Sequence, residues 1–285
     1  MSHWMILLGM IGGLTACSPW PGHVRMIVVA VAVFVVLKRE MLRRFAERHA
    51  VPSRLQRTLW YTAWAGLDAE AFFLRRTTRQ PGGADWCFAA GKFAFGIVMW
   101  GAVAPQFLPD HPMIAGWLAM IGMIFTLHFG GLHLLALSWR TGGLDVLPIM
   151  NAPILATSLS EFWGKRWNLA FRDFAHPCVF QPLARKTNAS VATWISFVFS
   201  GLVHELAITI PAGGGYGLPT AYFLMQAVGV SLERQLLRRR NARWKSVLGW
   251  LLTVLFVAPG AVLLFPPEFV CRVVLPLIPE QGLST

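Results

Sequence analysis

The sequence is poor in charge and poorest in acid: Asp and Glu together number 13 among 285 residues, and charged residues make up only 13% of the chain. That excludes an ordinary water-soluble domain, in which about a quarter of residues are charged. Cysteine is also scarce and unpatterned. Cys17, Cys87, Cys178 and Cys271 form no Cys-x-x-Cys pair, so they indicate neither a zinc site nor a disulfide framework and read as small apolar residues. His-Glu-x-x-His and Gly-x-Ser-x-Gly, signatures of zinc proteases and hydrolase elbows, do not occur. There is no internal repeat, no low-complexity segment, and no polar stretch that would hold a separate soluble domain.

What the chain has instead is apolar length. It is 55% hydrophobic with a mean hydropathy of +0.54, the composition of a membrane protein. A spanning helix needs about 20 apolar residues, and runs of that kind cover Trp86 to Leu108, Met113 to Trp139, Ala189 to Ile210, Tyr216 to Leu237 and Val247 to Phe265. Two shorter runs, Trp4 to Ala16 and Val24 to Leu37, predict a helical hairpin over 4–37 around the turn "SPWPG". The expectation is an all-α polytopic membrane protein of about seven transmembrane helices, forming one domain over 1–285. "LTAC" at 14–17 has the look of a lipoprotein cleavage site, but no Lys or Arg precedes it, so an uncleaved first helix is expected.

A net charge of +12 would suit nucleic acid if it were clustered on a soluble face. Here it is sorted by loop. The segments Lys38–Arg79, Arg140–Lys186 and Arg234–Lys245 hold 10, 6 and 6 of the 25 basic residues. The intervening turns "PDHP" and "PAGGGYG" hold none, the asymmetry expected when the basic loops face the cytoplasm. No nucleic-acid partner is expected, and in a bacterium the chain would sit in the inner membrane with its basic loops inside.

Ionisable residues within such runs are costly and are functional candidates by default. At 100° per residue, Thr193, Ser196, Ser200 and His204 share one stripe with Gly201 beside it, so His204 faces protein or a cavity. The alternative is a neutral histidine that joins helices through the serines. Glu205 lies about 100° away. Tyr222, Gln226 and Glu233 make a second polar stripe, expected to line the same cavity. His128 and His133 are separated by about 140°, a poor arrangement for joint metal binding, and Lys92 calls for a carboxylate partner or a snorkelling pose.

The segment 148–183 is aromatic, basic and too polar to span. Ser158 and Glu161 form a Ser-x-x-Glu start signal and Pro177 lies near the expected end, so an amphipathic interfacial helix is predicted from about Leu159 to Ala175. Leu159, Trp163, Trp167, Ala170 and Phe174 would cover one side. Glu161, Lys165, Asn168 and Arg172 would make the other, which by periodicity reads as a solvated face.

The motif "SLSEFWGKRWN" at 158–168 followed by "FSGLVHE" at 199–205 resembles the wax synthase-like branch of the membrane-bound O-acyltransferase family. "WAGLDAEAFF" at 64–73 and "FLMQAVGVSLE" at 223–233 extend the likeness, so the motif-bearing core covers about 60–265. The resemblance implies that His204 is the active-site histidine and Asn168 its polar partner, with Trp163, Arg166, Trp167, Ser200 and Glu205 at the substrate site. It further implies acyl transfer from acyl-CoA, a co-substrate, to a lipid or alcohol hydroxyl; no cofactor is expected, and no metal, because the residues offer no complete ligand set. A long-chain alcohol would give a wax ester. The rival expectation is a proton-coupled transporter using His204, Glu205 and Glu233 as a relay, against which no inverted repeat is visible.

Overall fold

Inside lipid a chain must satisfy its own backbone polar groups, which restricts apolar spans of this kind to helix. The computed structural model describes residues 3–77, 79–237 and 242–279; among these there is no strand, and a single antiparallel bridge joins Arg76 to Leu144. The chain is an all-helical membrane protein.

Four helices are both long and apolar enough to cross a bilayer: Gly83–Phe107, Pro112–Thr141, Ala189–Ala212 and Ser246–Leu264. They coincide with four of the predicted runs. Leu218–Leu237, with 20 residues, realises the remaining run, Tyr216 to Leu237, as a helix but does not meet both criteria among the described residues. Residues 238–241 of the third basic loop lie outside the described residues.

The N-terminal hairpin is present but lopsided. His3–Ala16 has 14 residues, whereas Gly22–Ala46 has 25 and runs well past the apolar segment into the arginines. Lys38 explains why it continues: the side chain is fully buried, donates from Nζ to the Trp60 carbonyl, and lies 3.7 Å above the Trp60 ring. This side chain fastens the hairpin to the helix Arg54–Thr62, which opens with a reciprocal capping box between Ser53 and Gln56.

The segment after 158 departs most from expectation. In place of one amphipathic helix there is a short turn, Leu159–Glu161, a π-helical turn, Phe162–Arg166, a break, and a second helix, Leu169–Ala175. Pro177 does not end it; helical backbone continues through His176–Phe180 to Gln181–Lys186. Ser158 does cap, accepting from the Glu161 N–H at 2.9 Å. The Glu161 carboxylate, however, turns to the N–H and hydroxyl of Thr157, so the box is not reciprocal.

At the centre, Ala189–Ala212 and Leu218–Leu237 pack antiparallel. Gly201 permits the approach, since a Cβ there would lie 2.8 Å from the Cα of Thr220. Glu205 then joins the two helices: Oε1 accepts from the Thr220 N–H (3.0 Å) and hydroxyl (2.9 Å), and Oε2 from Thr209 (2.6 Å) and the Gly217 N–H (3.2 Å). It acts as a remote cap for the start of the second helix. A C-terminal hook that periodicity did not reveal, Pro267–Leu277, buries Val270 and Val273 completely and ends with the Leu277 carbonyl accepting from Trp100 Nε1 at 2.8 Å.

Replacing Glu205 with Ala orphans these donors, which costs about 1–3 kcal/mol for each buried one. We expect a clear fall in the unfolding temperature in detergent for Glu205→Ala and a smaller one for Glu205→Gln. An unchanged unfolding temperature in Glu205→Ala would contradict the joint.

Candidate active site

The break at 167–168 follows from its braces. The Asn151 N–H donates to the Arg166 carbonyl (2.8 Å) and the Leu169 N–H to the Ile149 carbonyl (2.9 Å), so the stretch 149–151 holds both sides of the kink. Trp167 is extended and Asn168 left-handed, at φ 42° and ψ 62°, a conformation Asn tolerates better than other side-chain-bearing residues. Asn168 thereby becomes the cap of Leu169–Ala175: its Oδ1 accepts from the Phe171 N–H at 3.2 Å. With the oxygen engaged in this way, the amide nitrogen is the group left to a ligand. Asn168 lines a cavity rather than the solvated face that periodicity suggested.

That cavity, of about 230 Å³, lies between the kinked segment and the central helix pair. His204 stands at one end. Its Nδ1 is 2.7 Å from the Ser200 carbonyl oxygen. A carbonyl can only accept, so Nδ1 carries a proton, and in the neutral ring Nε2 keeps its lone pair. Phe223 packs against the ring at a centroid distance of 4.5 Å, and Phe171 meets it edge-on at 6.4 Å. The serines of the stripe do not clamp helix to helix: Ser196 and Ser200 donate back to the carbonyls of Ala192 and Ser196 in their own helix. Thr193, Arg172 and Arg234 also line the cavity. Thr193 is eleven residues before His204, about 16 Å along the helix.

The walls are held from behind. Trp163 donates from Nε1 to Gln226 Oε1 (3.3 Å), and Gln226, fully buried, donates in turn to the Phe256 carbonyl (2.8 Å). Glu233 accepts from the Leu159 N–H, tying the start of the motif to the helix Leu218–Leu237. Trp167 stacks on Phe162 with a centroid distance of 5.5 Å and an interplanar angle of 13°. Gly164 is the opening in this wall: a Cβ there would meet nothing within 4 Å.

The structure thus brings together His204, Asn168, Trp163, Trp167 and Ser200 around one space, and leaves out two of the predicted site residues. Arg166 has its guanidinium engaged by Glu161 at 2.7 Å and by the carbonyls of Asn151 and Ala152. Burial pushes the Glu161 carboxyl up, but hydrogen bonds from Thr157 and Arg166 bring it down to about 2. Glu205 is the helix joint described above. The Tyr222, Gln226 and Glu233 stripe faces the supporting side, one position round from Phe223, Val230 and Arg234, which do line the cavity. The polar groups of Gln226 and Glu233 are consumed in holding the motif, which periodicity cannot distinguish from lining a cavity. Phe171, Phe197 and Phe223 carried no sequence signal beyond being aromatic.

The remaining intramembrane groups are elsewhere. Lys92 finds His133 in place of a carboxylate, with Nζ 2.7 Å from Nδ1 and 4.4 Å from the centre of the Phe88 ring. His128 is outside the cavity. Among the described residues, no three His, Cys, Asp or Glu side chains are grouped to hold a metal.

Comparison with known proteins follows the same geography. Residues 146–225, which include Asn168 and His204, match the model of the Membrane bound O-acyl transferase family. An Acyl-CoA–sterol O-acyltransferase of Arabidopsis thaliana is 33% identical over 139 residues, 44% of this chain and 39% of the relative. A Long-chain-alcohol O-fatty-acyltransferase of Simmondsia chinensis is 32% identical over 141 residues, 46% and 40% respectively. A Probable long-chain-alcohol O-fatty-acyltransferase of Arabidopsis thaliana is 31% identical over 198 residues, 64% and 57%. The matches to the first two relatives cover about two fifths of their length. The resemblance read from the motifs holds over the segment that carries them: residues 146–225 are similar to the membrane-bound O-acyltransferases, and the relatives matched include long-chain-alcohol O-fatty-acyltransferases.

Beside the cavity, burial pushes the Asp173 carboxyl up to about 7, against the pull of the Arg172 guanidinium 3.2 Å away. The unfolded carboxyl titrates near about 3.9, so the folded chain holds this proton more tightly and loses stability as pH rises from about 4 through 7. Asp173→Asn should therefore raise the unfolding temperature relative to wild type at pH 8 and much less at pH 5. An equal difference at the two pH values would contradict this assignment.

Proposed function

We propose that the chain is a membrane-embedded O-acyltransferase that moves a fatty acyl group from acyl-CoA to a hydroxyl acceptor, with His204 as general base and Asn168 assisting. The observation that carries this reading is the histidine tautomer: Nδ1–H is committed to the Ser200 carbonyl, so a bare Nε2 is available in the apolar cavity that Asn168 also lines. An alcohol is a weak nucleophile at neutral pH, and a positioned base is typically worth about 10²- to 10⁴-fold.

In this mechanism Nε2 takes the hydroxyl proton as the alcohol oxygen attacks the thioester carbonyl. The Asn168 amide N–H donates to the developing oxyanion, a contact whose loss costs about 10²- to 10³-fold in comparable sites. Collapse breaks the carbon–sulfur bond, and the leaving CoA thiolate takes the proton back from the imidazolium. The products are an ester and CoA, with no acyl-enzyme and no cofactor. The aromatic walls exclude water that would otherwise hydrolyse the thioester, and the open side of Gly164 leaves room for a chain.

A long-chain alcohol is the favoured acceptor, in keeping with the names of most relatives compared, one of which acts on a sterol instead. We read the chain as multi-pass, with up to seven spans and its basic segments on the cytoplasmic side, where acyl-CoA is found. The kinked 159–175 segment would then lie at that interface. The transporter alternative loses its relay, because Glu205 is bound to Thr220 and Gly217 and Glu233 to Leu159, each apart from the cavity.

The test is ester formation by the purified chain from labelled palmitoyl-CoA and a panel of alcohols and sterols, with and without chelator. We expect wild-type activity that chelation does not reduce, loss of at least about 100-fold in His204→Ala, and a similar loss in kcat for Asn168→Ala. Equal ester formation by wild type and His204→Ala would refute the mechanism.

A further inference from the structure

A second cavity, of about 420 Å³, shares Arg172 and His176 with the first. Its other side is built by parts of the chain that the reaction cavity does not use. Arg44 and Arg48 come from the end of the helix Gly22–Ala46 and just beyond it, and Asp68, Glu70 and Arg75 from the segment around "WAGLDAEAFF", the motif left without a role at His204.

The arginines are held in place by acceptors. Arg44 reaches Glu40 (2.8 Å) and the Pro177 carbonyl (3.1 Å), Arg75 lies 3.4 Å from Asp68, and Arg172 lies 3.2 Å from Asp173. Asp68 is itself fixed, accepting from the Ala71 N–H at 3.0 Å as the cap of Ala69–Phe73. Two donors are left over. The Arg48 guanidinium has no hydrogen-bond or ion-pair partner among the described residues, and Nε of Arg172 is buried without one. Guanidinium forks matched to tetrahedral oxyanions are the usual means of holding phosphate. The carboxylates argue against a bare anionic surface, which they would repel. They suit a ligand that also offers hydroxyl and amine donors, as a phosphorylated nucleoside does.

We propose that this second cavity holds the phosphorylated nucleotide end of the acyl-CoA donor, with Arg48 and Arg75 as phosphate ligands and Arg172 at the passage between nucleotide and thioester. The assignment rests on the acyl-transfer reading for the identity of the donor, but the site can be tested without turnover.

The probe is adenosine 3′-phosphate 5′-diphosphate, which has neither thioester nor pantetheine arm, titrated against the full chain in neutral detergent. Wild type should bind it, more weakly as salt rises. Arg48→Ala and Arg75→Ala should each weaken binding by roughly tenfold, while Lys165→Ala, which removes an exposed cation outside both cavities, should not. Arg48 has no protein partner to lose, so its substitution should leave the unfolding temperature unchanged and separate binding from folding.

No binding by wild type, or equal binding by both arginine variants, would overturn the site. Displacement of the nucleotide by phosphatidylglycerol vesicles at lower concentration than by CoA would assign the arginines to a lipid headgroup and overturn the donor assignment. Ester formation is scored separately. Arginine-dependent binding without any ester product would leave the phosphate site standing and remove the acyl-transfer reading; ester formation with arginine-independent binding would do the reverse.

Discussion

The candidate site depends on one local hydrogen bond, from Nδ1–H of His204 to the carbonyl of Ser200 four residues earlier in the same helix. Because donor and acceptor belong to one helical turn, the bond forms as soon as the helix does and needs no partner from elsewhere. It determines which nitrogen carries the proton and so which can act as a base. Phe223 and Phe171 then bound the ring on two sides, and everything else at the site is positioned relative to that imidazole.

The second constraint is that polar groups in an apolar bundle must find partners. This chain divides them into two sets. Glu205, Gln226 and Glu233 are spent on structure: one joins the central helices, and the others hold Trp163 and the start of the motif. His204 and Asn168 each use one side-chain atom for local structure and leave one free for the cavity. Asn168 can do so only because the backbone breaks before it. The brace from Ile149 and Asn151 therefore matters to the site as much as the motif residues do.

Much of this was legible in the sequence where periodicity governs. Four apolar runs became helices within a few residues of their predicted ends, and the stripe from Thr193 to His204 faces the cavity. Periodicity fails at 159–175, because a left-handed residue and a π-helical turn reset the phase: on a continuous helix Asn168 would fall on the solvated face. The polar stripe at 222, 226 and 233, expected to line the cavity, faces the segment it supports instead. The family resemblance supplied Asn168 by motif, and the kink is the physical reason that residue could not be found by helical spacing. The hook at 267–277 is not legible in the sequence, because its apolar residues follow a break at Pro266 and Pro267 and are too few to read as a span.

The most direct test of the account is the tautomer of His204 in the folded protein at neutral pH, read by nitrogen NMR on histidine-labelled chain and assigned by the resonance lost in His204→Gln. The account predicts a neutral ring with a protonated, hydrogen-bonded Nδ1 and a bare Nε2. A proton on Nε2, with Nδ1 bare, would leave no base pointing into the cavity and would contradict it.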